Sequence, residues 1–275
     1  MVRADEGLRL RFEETRLACA RGWYERDGRR VELADALAGM RRGTRLFTPE
    51  ELRALPAAPA GPRAVISVTG ESTLVAAVRL AAGGGDVAAL NFASARTPGG
   101  GVLKGAVAQE EDLARASALH DSLTRCPAFY AAHRAEGSPW YSDRVLYSPR
   151  VPVFRDDRGG WLPTPVPVTF LTCAAPNRRR IEAEGPVAGA RLARVLAERA
   201  RGVLAVAAHG GHRRLVLGAW GCGVFGNDPR QVAGVFAELL TGDGPFAAAF
   251  ERVVFAVLDR AGPTRAAFAE TFLAA

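Results

Sequence analysis

The sequence has few cysteines and no closely spaced pair of them: Cys19, Cys126, Cys173 and Cys222 are scattered, with no CxxC. That excludes a disulfide-stapled scaffold and a structural zinc site, both of which need clustered thiols, and it points to a reduced, intracellular setting. No apolar run approaches the about 20 residues that a membrane helix requires. The first residues carry Arg3, Asp5, Glu6, Arg9 and Arg11 where a signal peptide would be apolar. The expectation is a cytoplasmic chain with no membrane contact. Internal repeats are absent, and the one biased stretch is the alanine- and proline-rich segment from Pro56 to Pro62. The basic clusters Arg41-Arg42, Arg178-Arg179-Arg180 and Arg213-Arg214 have no interleaved aromatics, so no sequence-specific nucleic-acid partner is expected. The net charge of +7, from 36 basic residues (nearly all Arg) against 29 acidic, is explained by coding composition as readily as by a polyanion, though it can steer one. His209 and His212 form an HxxH without a third ligand at useful spacing, so no metal is expected, and no cofactor.

What is present is an ordinary soluble composition: 275 residues, 48% hydrophobic and 24% charged, enough for one large domain with a full core. Residues 5–22, 31–42 and 49–55 read as helical or mixed, and Thr48-Pro49-Glu50-Glu51 is a good helix start because proline suits the first helical position. This gives an N-terminal accessory segment, 1–55, ahead of a catalytic core, 56–275, the two expected to form one compact, monomeric unit. From residue 63 strands and helices alternate: strands at 63–69, 87–93, 144–155, 165–175, 213–219 and 252–258; helices at 72–82, 110–134, 186–201, 229–241 and 264–273. Arg155 to Gly160 reads as a hairpin turn. The fold class is therefore α/β, a sheet with helices on both faces.

Most informative is Thr97-Pro98-Gly99-Gly100-Gly101, followed after a short spacer by Gln109-Glu110-Glu111. Three glycines leave backbone amides free to face an anion and allow positive φ. The run before them, Val87 to Ala93, has strand length, and the acidic run after Gln109 starts a helix, so the order is strand, glycine loop, carboxylates, helix. A second glycine-rich stretch, Gly218 to Asn227, also follows a strand, and in an open α/β sheet both loops face the crevice beyond the strand ends. Helical neighbours diverge by roughly 100°, so Glu110 and Glu111 cannot flank one glycosidic bond as facing carboxylates do, and one of them must do most of the chemistry. Asn91 is either an amide contact to a sugar or strand-end turn chemistry. Gln109 either caps the helix or touches ligand, and Thr69 to Thr73 either reaches the adenine side of a ligand or, the safer reading, caps the next helix.

The glycine trio, the spacer Val102 to Ala108 and the QEE resemble the signature of the bacterial-type poly(ADP-ribose) glycohydrolases, which have a macrodomain fold. The resemblance extends over Asn91 to Arg96, Tyr147 to Arg155, Ala174 to Asn177 and Gly218 to Asn227. It implies a macrodomain-like mixed sheet flanked by helices and hydrolysis of the ribose–ribose bonds of poly(ADP-ribose) on modified proteins. It implies Glu111 as the general acid and base, Glu110 as a ribose contact, and Gly99, Gly100 and Gly101 along the diphosphate and distal ribose. In the second loop it implies that the amides around Gly221, Cys222, Gly223, Val224 and Gly226 surround the phosphates, with Phe225 as a wall against the distal ribose. Two other readings are a non-catalytic ADP-ribose reader and a hydrolase that removes single ADP-ribose units from protein or DNA. Lys104 departs from the small residue that many relatives carry in this loop.

Overall fold

Asp27-Gly28 is the dipeptide that a two-residue hairpin turn prefers, because both of its residues tolerate positive φ, and here they sit at 51° and 70°. They join β1 (Trp23–Arg26) to β2 (Arg29–Glu32), a small separate sheet that follows helix α1 (Glu6–Arg21). Next come α2 (Ala34–Gly43), β3 (Arg45–Phe47) and α3 (Pro49–Ala54). Thr48 starts α3 with the expected chemistry: its hydroxyl accepts from Glu51 N while the Glu51 carboxylate accepts from Thr48 N. The computed structural model describes residues 6–185, 189–259 and 262–273; Arg3, Asp5 and the first three residues of the helix expected at 186–201 lie outside them.

The chain continues through β4 (Val65–Thr69), α4 (Thr73–Ala82), β5 (Val87–Phe92), α5 (Gln109–Ala116), α6 (Leu119–Thr124) and α7 (Pro127–Glu136). A long pair, β6 (Val145–Arg155) and β7 (Trp161–Cys173), precedes α8 (Arg178–Glu184) and α9 (Gly189–His209). It ends with β8 (Arg214–Leu217), α10 (Pro229–Leu240), β9 (Arg252–Ala256) and α11 (Pro263–Leu273). The main sheet has seven strands in the order β3-β6-β7-β5-β8-β9-β4, antiparallel over its first three and parallel from β7 onward. Helices α9, α10 and α11 pack their apolar faces on one side and α2, α4, α5 and α7 on the other, giving the three-layer arrangement expected for an α/β chain. β5 lies in the middle and its first five residues are buried, as a central parallel strand requires.

Some local features depart from the sequence reading for visible reasons. The strands β1, β2 and β3 are three or four residues each and rich in arginine, so they carry no alternation to detect. The helix expected over 110–134 is three helices. Ser117 has extended backbone and bridges to Val153, which ends α5, and Pro127 opens α7. Pro163, Pro165 and Pro167 sit within β7, where their missing N–H groups all fall on one edge; β5 pairs with β7 only from Thr169 onward, so no ladder bond is lost.

The N-terminal segment is built into the sheet. β3 is its outer strand against β6, and Phe12 of α1, 1% exposed, packs on Val102 of the glycine-trio loop and Ala114 of α5 with its ring edge-on to His120 at 5.0 Å. Thr15 adds a buried 2.6 Å hydrogen bond to the Arg115 carbonyl. Phe12→Ala should therefore cost about 3–5 kcal/mol of unfolding free energy, the usual range for a fully buried aromatic. A denaturant midpoint close to wild type would show that α1 is dispensable.

Candidate active site

Helical side chains lean toward the N-terminus of their helix, so acids in a first turn reach back over the loop that precedes it. The N-cap of α5, Ala108, has no capping side chain, and the first turn carries Glu110, Glu111 and Asp112, which complement the helix dipole. Glu110 and Glu111 are 3% and 8% exposed and converge on the glycine trio. Glu111 Oε1 accepts from Gly101 N at 2.8 Å. Glu110 Oε2 accepts from Ser94 N at 2.7 Å, and its Oε1 from Asn91 Nδ2 at 3.3 Å. Gly100 lies at φ 58°, and a Cβ there would overlap Glu111 Oε1 and stand 3.1 Å from Glu110 Oε2. The two carboxylates thus meet the same glycine, in contrast to the divergence expected of helical neighbours.

This arrangement corrects several of the sequence expectations. The amides of the trio are not free for an anion: Gly100 N donates to Thr97 O at 3.0 Å, Gly101 N to Glu111, and Gly99 N acts on Glu110. Buried carboxylates need donors, and the nearest backbone supplies them. Asn91 is committed within the protein through its Nδ2, while its Oδ1 has no partner among the described residues. It is fully buried, and its amide donates to Glu110 and to Thr172 Oγ1 at 3.1 Å. Glu110 has both oxygens engaged within the protein, which gives it a bracing role in this structure. Gln109 does not cap α5; its Oε1 accepts from Phe92 N at 2.9 Å and its Nε2 donates to Leu90 O at 2.7 Å, which ties the end of β5 to the helix. Ser72 is the N-cap of α4, as read from the sequence, and accepts from Val75 N. His209 and His212 hold no metal cluster among the described residues. His212 is buried, its Nε2 hydrogen-bonded to the Tyr147 hydroxyl, and not a surface residue.

Electrostatically the two acids differ. Burial pushes the Glu110 carboxyl up to about 8, with the neighbouring Glu111 charge adding to the rise and the Ser94 amide opposing it. Glu111 Oε2 has no hydrogen bond in the protein among the described residues and is not sealed from solvent. It is the carboxylate oxygen offered to the outside.

Beside this cluster, at the carboxyl ends of β4, β5, β8 and β9, lies a cavity of about 810 Å³. Phe92, Gln109 and the loop from Gly221 to Phe225 are among its walls; Gly99 to Gly101, Asn91, Glu110, Glu111 and Gly226 are not. Cluster and cavity adjoin through Phe92, Ala93 and Gln109. The second loop presents a run of available amides. Gly221 is at φ 73°, with no space for a Cβ against Ala175 and Asn227, and the amides of Gly221, Gly223, Val224 and Phe225 have no protein acceptor among the described residues. Successive unpaired amides in such a turn make an anion-binding concavity. Phe225 lines the cavity and rests on Tyr141, ring centroids 5.9 Å apart. The Cys222 thiol is pushed up to about 12 by burial, so it is no nucleophile at neutral pH. Sequence reasoning missed Ser94, Tyr141 and Phe12. Ser94 acts through its backbone and Phe12 and Tyr141 through distant packing, so none had a local signal, although Ser94 lies two residues beyond β5.

Comparison with known proteins places this geometry. The family model for the microbial-type PARG catalytic domain matches residues 13–156. The chain is 54% identical to poly(ADP-ribose) glycohydrolase from Thermomonospora curvata, with 98% of this chain and 100% of that one covered and a TM-score of 0.93. The structure of that enzyme bound to the inhibitor ADP-HPD is 53% identical, with coverage of 97% and 99% and a TM-score of 0.91. Poly(ADP-ribose) glycohydrolase from Deinococcus radiodurans in complex with ADP-ribose is 46% identical, with coverage of 86% and 96% and a TM-score of 0.80. No curated protein sequence matches.

The raised Glu110 has a measurable consequence. A carboxyl whose pKa is higher folded than unfolded stabilises the fold while protonated; that contribution is full below the unfolded value of about 4.3 and is lost as pH rises through about 8. Replacing it with the neutral amide removes the dependence. The stability of wild type relative to Glu110→Gln should therefore fall from pH 5 to pH 9 in denaturant titrations. A difference that is flat or rises with pH would mean that Glu110 is ionised throughout.

Proposed function

Because the chain belongs to the microbial-type poly(ADP-ribose) glycohydrolases, we propose that it hydrolyses the ribose–ribose glycosidic bonds of poly(ADP-ribose), on poly-ADP-ribosylated proteins, with Glu111 as general acid and then base. The observation that carries this reading is the uneven use of the two carboxylates: Glu110 has both oxygens engaged, whereas Glu111, on the helix turn whose Gln109 and Asp112 line the cavity, keeps Oε2 without a protein partner among the described residues.

In this reading the diphosphate of the terminal ADP-ribose binds the unpaired amides of Gly221, Gly223, Val224 and Phe225, and Phe225 forms the wall against the distal ribose. Glu111 Oε2 delivers a proton to the departing ribose oxygen. The bond to the anomeric carbon then breaks to leave an oxocarbenium-like ribose, and Glu111, now ionised, takes a proton from the water that adds to it. Glu110 and Asn91 hold Glu111 indirectly: Glu110 fills the space beside Gly100, and when neutral it adds no second charge next to the reacting carboxylate. The Gly101 amide at Oε1 fixes the Glu111 rotamer, so the free oxygen faces out. Residues 1–55 act with the core in this scheme, since Phe12 supports the loop that holds Glu111.

Glu111→Gln keeps the size and the hydrogen bond from Gly101 but removes the proton donor. Turnover of automodified polymer should fall by about 10²–10⁴-fold, the usual worth of general acid catalysis, while ADP-ribose binding survives. Near-normal turnover in that variant would place the acid elsewhere. A wild-type protein that releases ADP-ribose from mono-ADP-ribosylated protein but not from polymer would replace the proposed activity with single-unit removal.

A further inference from the structure

Along the chain, Arg178-Arg179-Arg180 lacks the aromatics that mark a nucleic-acid-like binding surface; folding supplies them from another segment. The Asn177 amide donates to Pro139 O at 2.9 Å, which sets the arginines against the loop carrying Trp140 and Tyr141. The Arg179 amide donates to Phe225 O at 3.1 Å, and the Arg179 stem lies on Gly226, where a Cβ would stand 2.7 Å from its Cγ. Arg191 of α9 lies over the Trp140 ring at 4.2 Å, and Tyr141 backs Phe225 from outside the cavity. Arg178 is neutralised by Glu182 at 2.6 Å, but Arg179, Arg180 and Arg191 are exposed and have no acidic partner among the described residues. The result is one surface with three unpaired guanidinium groups and a half-buried tryptophan on the outer side of the Phe225 wall.

We propose that this surface binds the next unit of the poly(ADP-ribose) chain, its diphosphate on Arg179 and Arg180 and its adenine on the Trp140–Arg191 platform. The inference rests on the reading above, in which the terminal ADP-ribose fills the cavity and its distal ribose meets Phe225. The chain beyond the scissile bond then leaves the cavity past Phe225, directly over this surface. The other end of the cavity is a poorer exit for a polyanion: it carries Asp156 and Asp157 against one cation without an acidic partner among the described residues, Arg11, and its buried arginines are already paired, Arg115 with Asp112 and Arg155 with Glu14. A repeating unit of two phosphates and a purine is met by guanidinium groups for the charge and an aromatic or guanidinium face for the base, as in single-stranded nucleic-acid grooves. The surface would tell polymer from monomer, because free ADP-ribose ends before reaching it.

The test uses the full chain with Glu111→Gln, which holds substrate without turning it over, and compares long poly(ADP-ribose) with free ADP-ribose. Arg179→Gln/Arg180→Gln keeps the stems and removes the charge. It should weaken polymer binding about tenfold and make its salt dependence shallower, by roughly 0.7 in log–log slope for each phosphate that is no longer neutralised, with ADP-ribose affinity unchanged. Trp140→Leu should weaken polymer binding without altering the salt slope. Charge reversal, Arg179→Glu/Arg180→Glu, should deepen the polymer defect. Polymer affinity and salt slope equal to the parent would overturn the proposal, as would a parallel loss of ADP-ribose affinity, which would assign these arginines to the terminal unit. A parent protein that binds neither ligand would instead overturn the proposed function, and this inference with it.

Discussion

Two adjacent carboxylates buried at the start of one helix need donors from outside that helix, and this need organises the centre of the molecule. Each isolated buried charge would cost several kcal/mol, so the fold answers in two ways. It brings the Gly101 amide to Glu111 and the Ser94 and Asn91 groups to Glu110, and it raises the Glu110 carboxyl until that group is neutral over much of the physiological range. Gly100 is the point of contact, since any side chain there would take the space of a carboxylate oxygen. The glycine trio is therefore conditioned by the acids as much as by a ligand.

From that constraint follows a division between the two glycine loops. In the loop after β5 the amides of Gly99, Gly100 and Gly101 are engaged on the carboxylates and on the loop itself, and only toward α5 do cavity-lining amides, those of Val107, Ala108 and Gln109, lack a protein acceptor among the described residues. The loop after β8 keeps four successive or near-successive amides unpaired beside a cavity of about 810 Å³. In the proposed reading, one loop positions the reacting acid and the other receives the anion. Parallel strands place both at the same sheet edge, and Gln109, bonded to the end of β5, joins the reacting helix to the cavity wall.

Much of this was legible in the sequence because the relevant signals are local. Thr48-Pro49-Glu50-Glu51 states its own helix cap, the apolar run of β5 its burial, and GGG with QEE the loop-to-helix junction of the site. The hairpin at Arg155 to Gly160 was equally plain. What escaped depends on partners remote in sequence. Asn91 looked like a strand-end amide free to meet a sugar, but its fate is set by Glu110 and Thr172, the latter 81 residues away. Nothing near Phe12 indicates that it supports the loop at Val102. The divergence expected of Glu110 and Glu111 assumed a regular helix interior; in a first turn, with a glycine opposite, both side chains reach back to one place. Short arginine-rich strands such as β3 take their structure from the strand they border, not from their own pattern.

The account stands most directly on the space at Gly100. Gly100→Ala adds one methyl group, touches no cavity-lining residue and leaves the amides of Gly221 to Phe225 as they are. If the glycine exists to seat Glu111, the single-turnover rate on polymer should fall by about 100-fold or more, the scale of a displaced general acid, while calorimetry shows ADP-ribose affinity retained. A variant that cleaves polymer at close to the wild-type rate would contradict the account, since the carboxylate would then not depend on the glycine that it rests against.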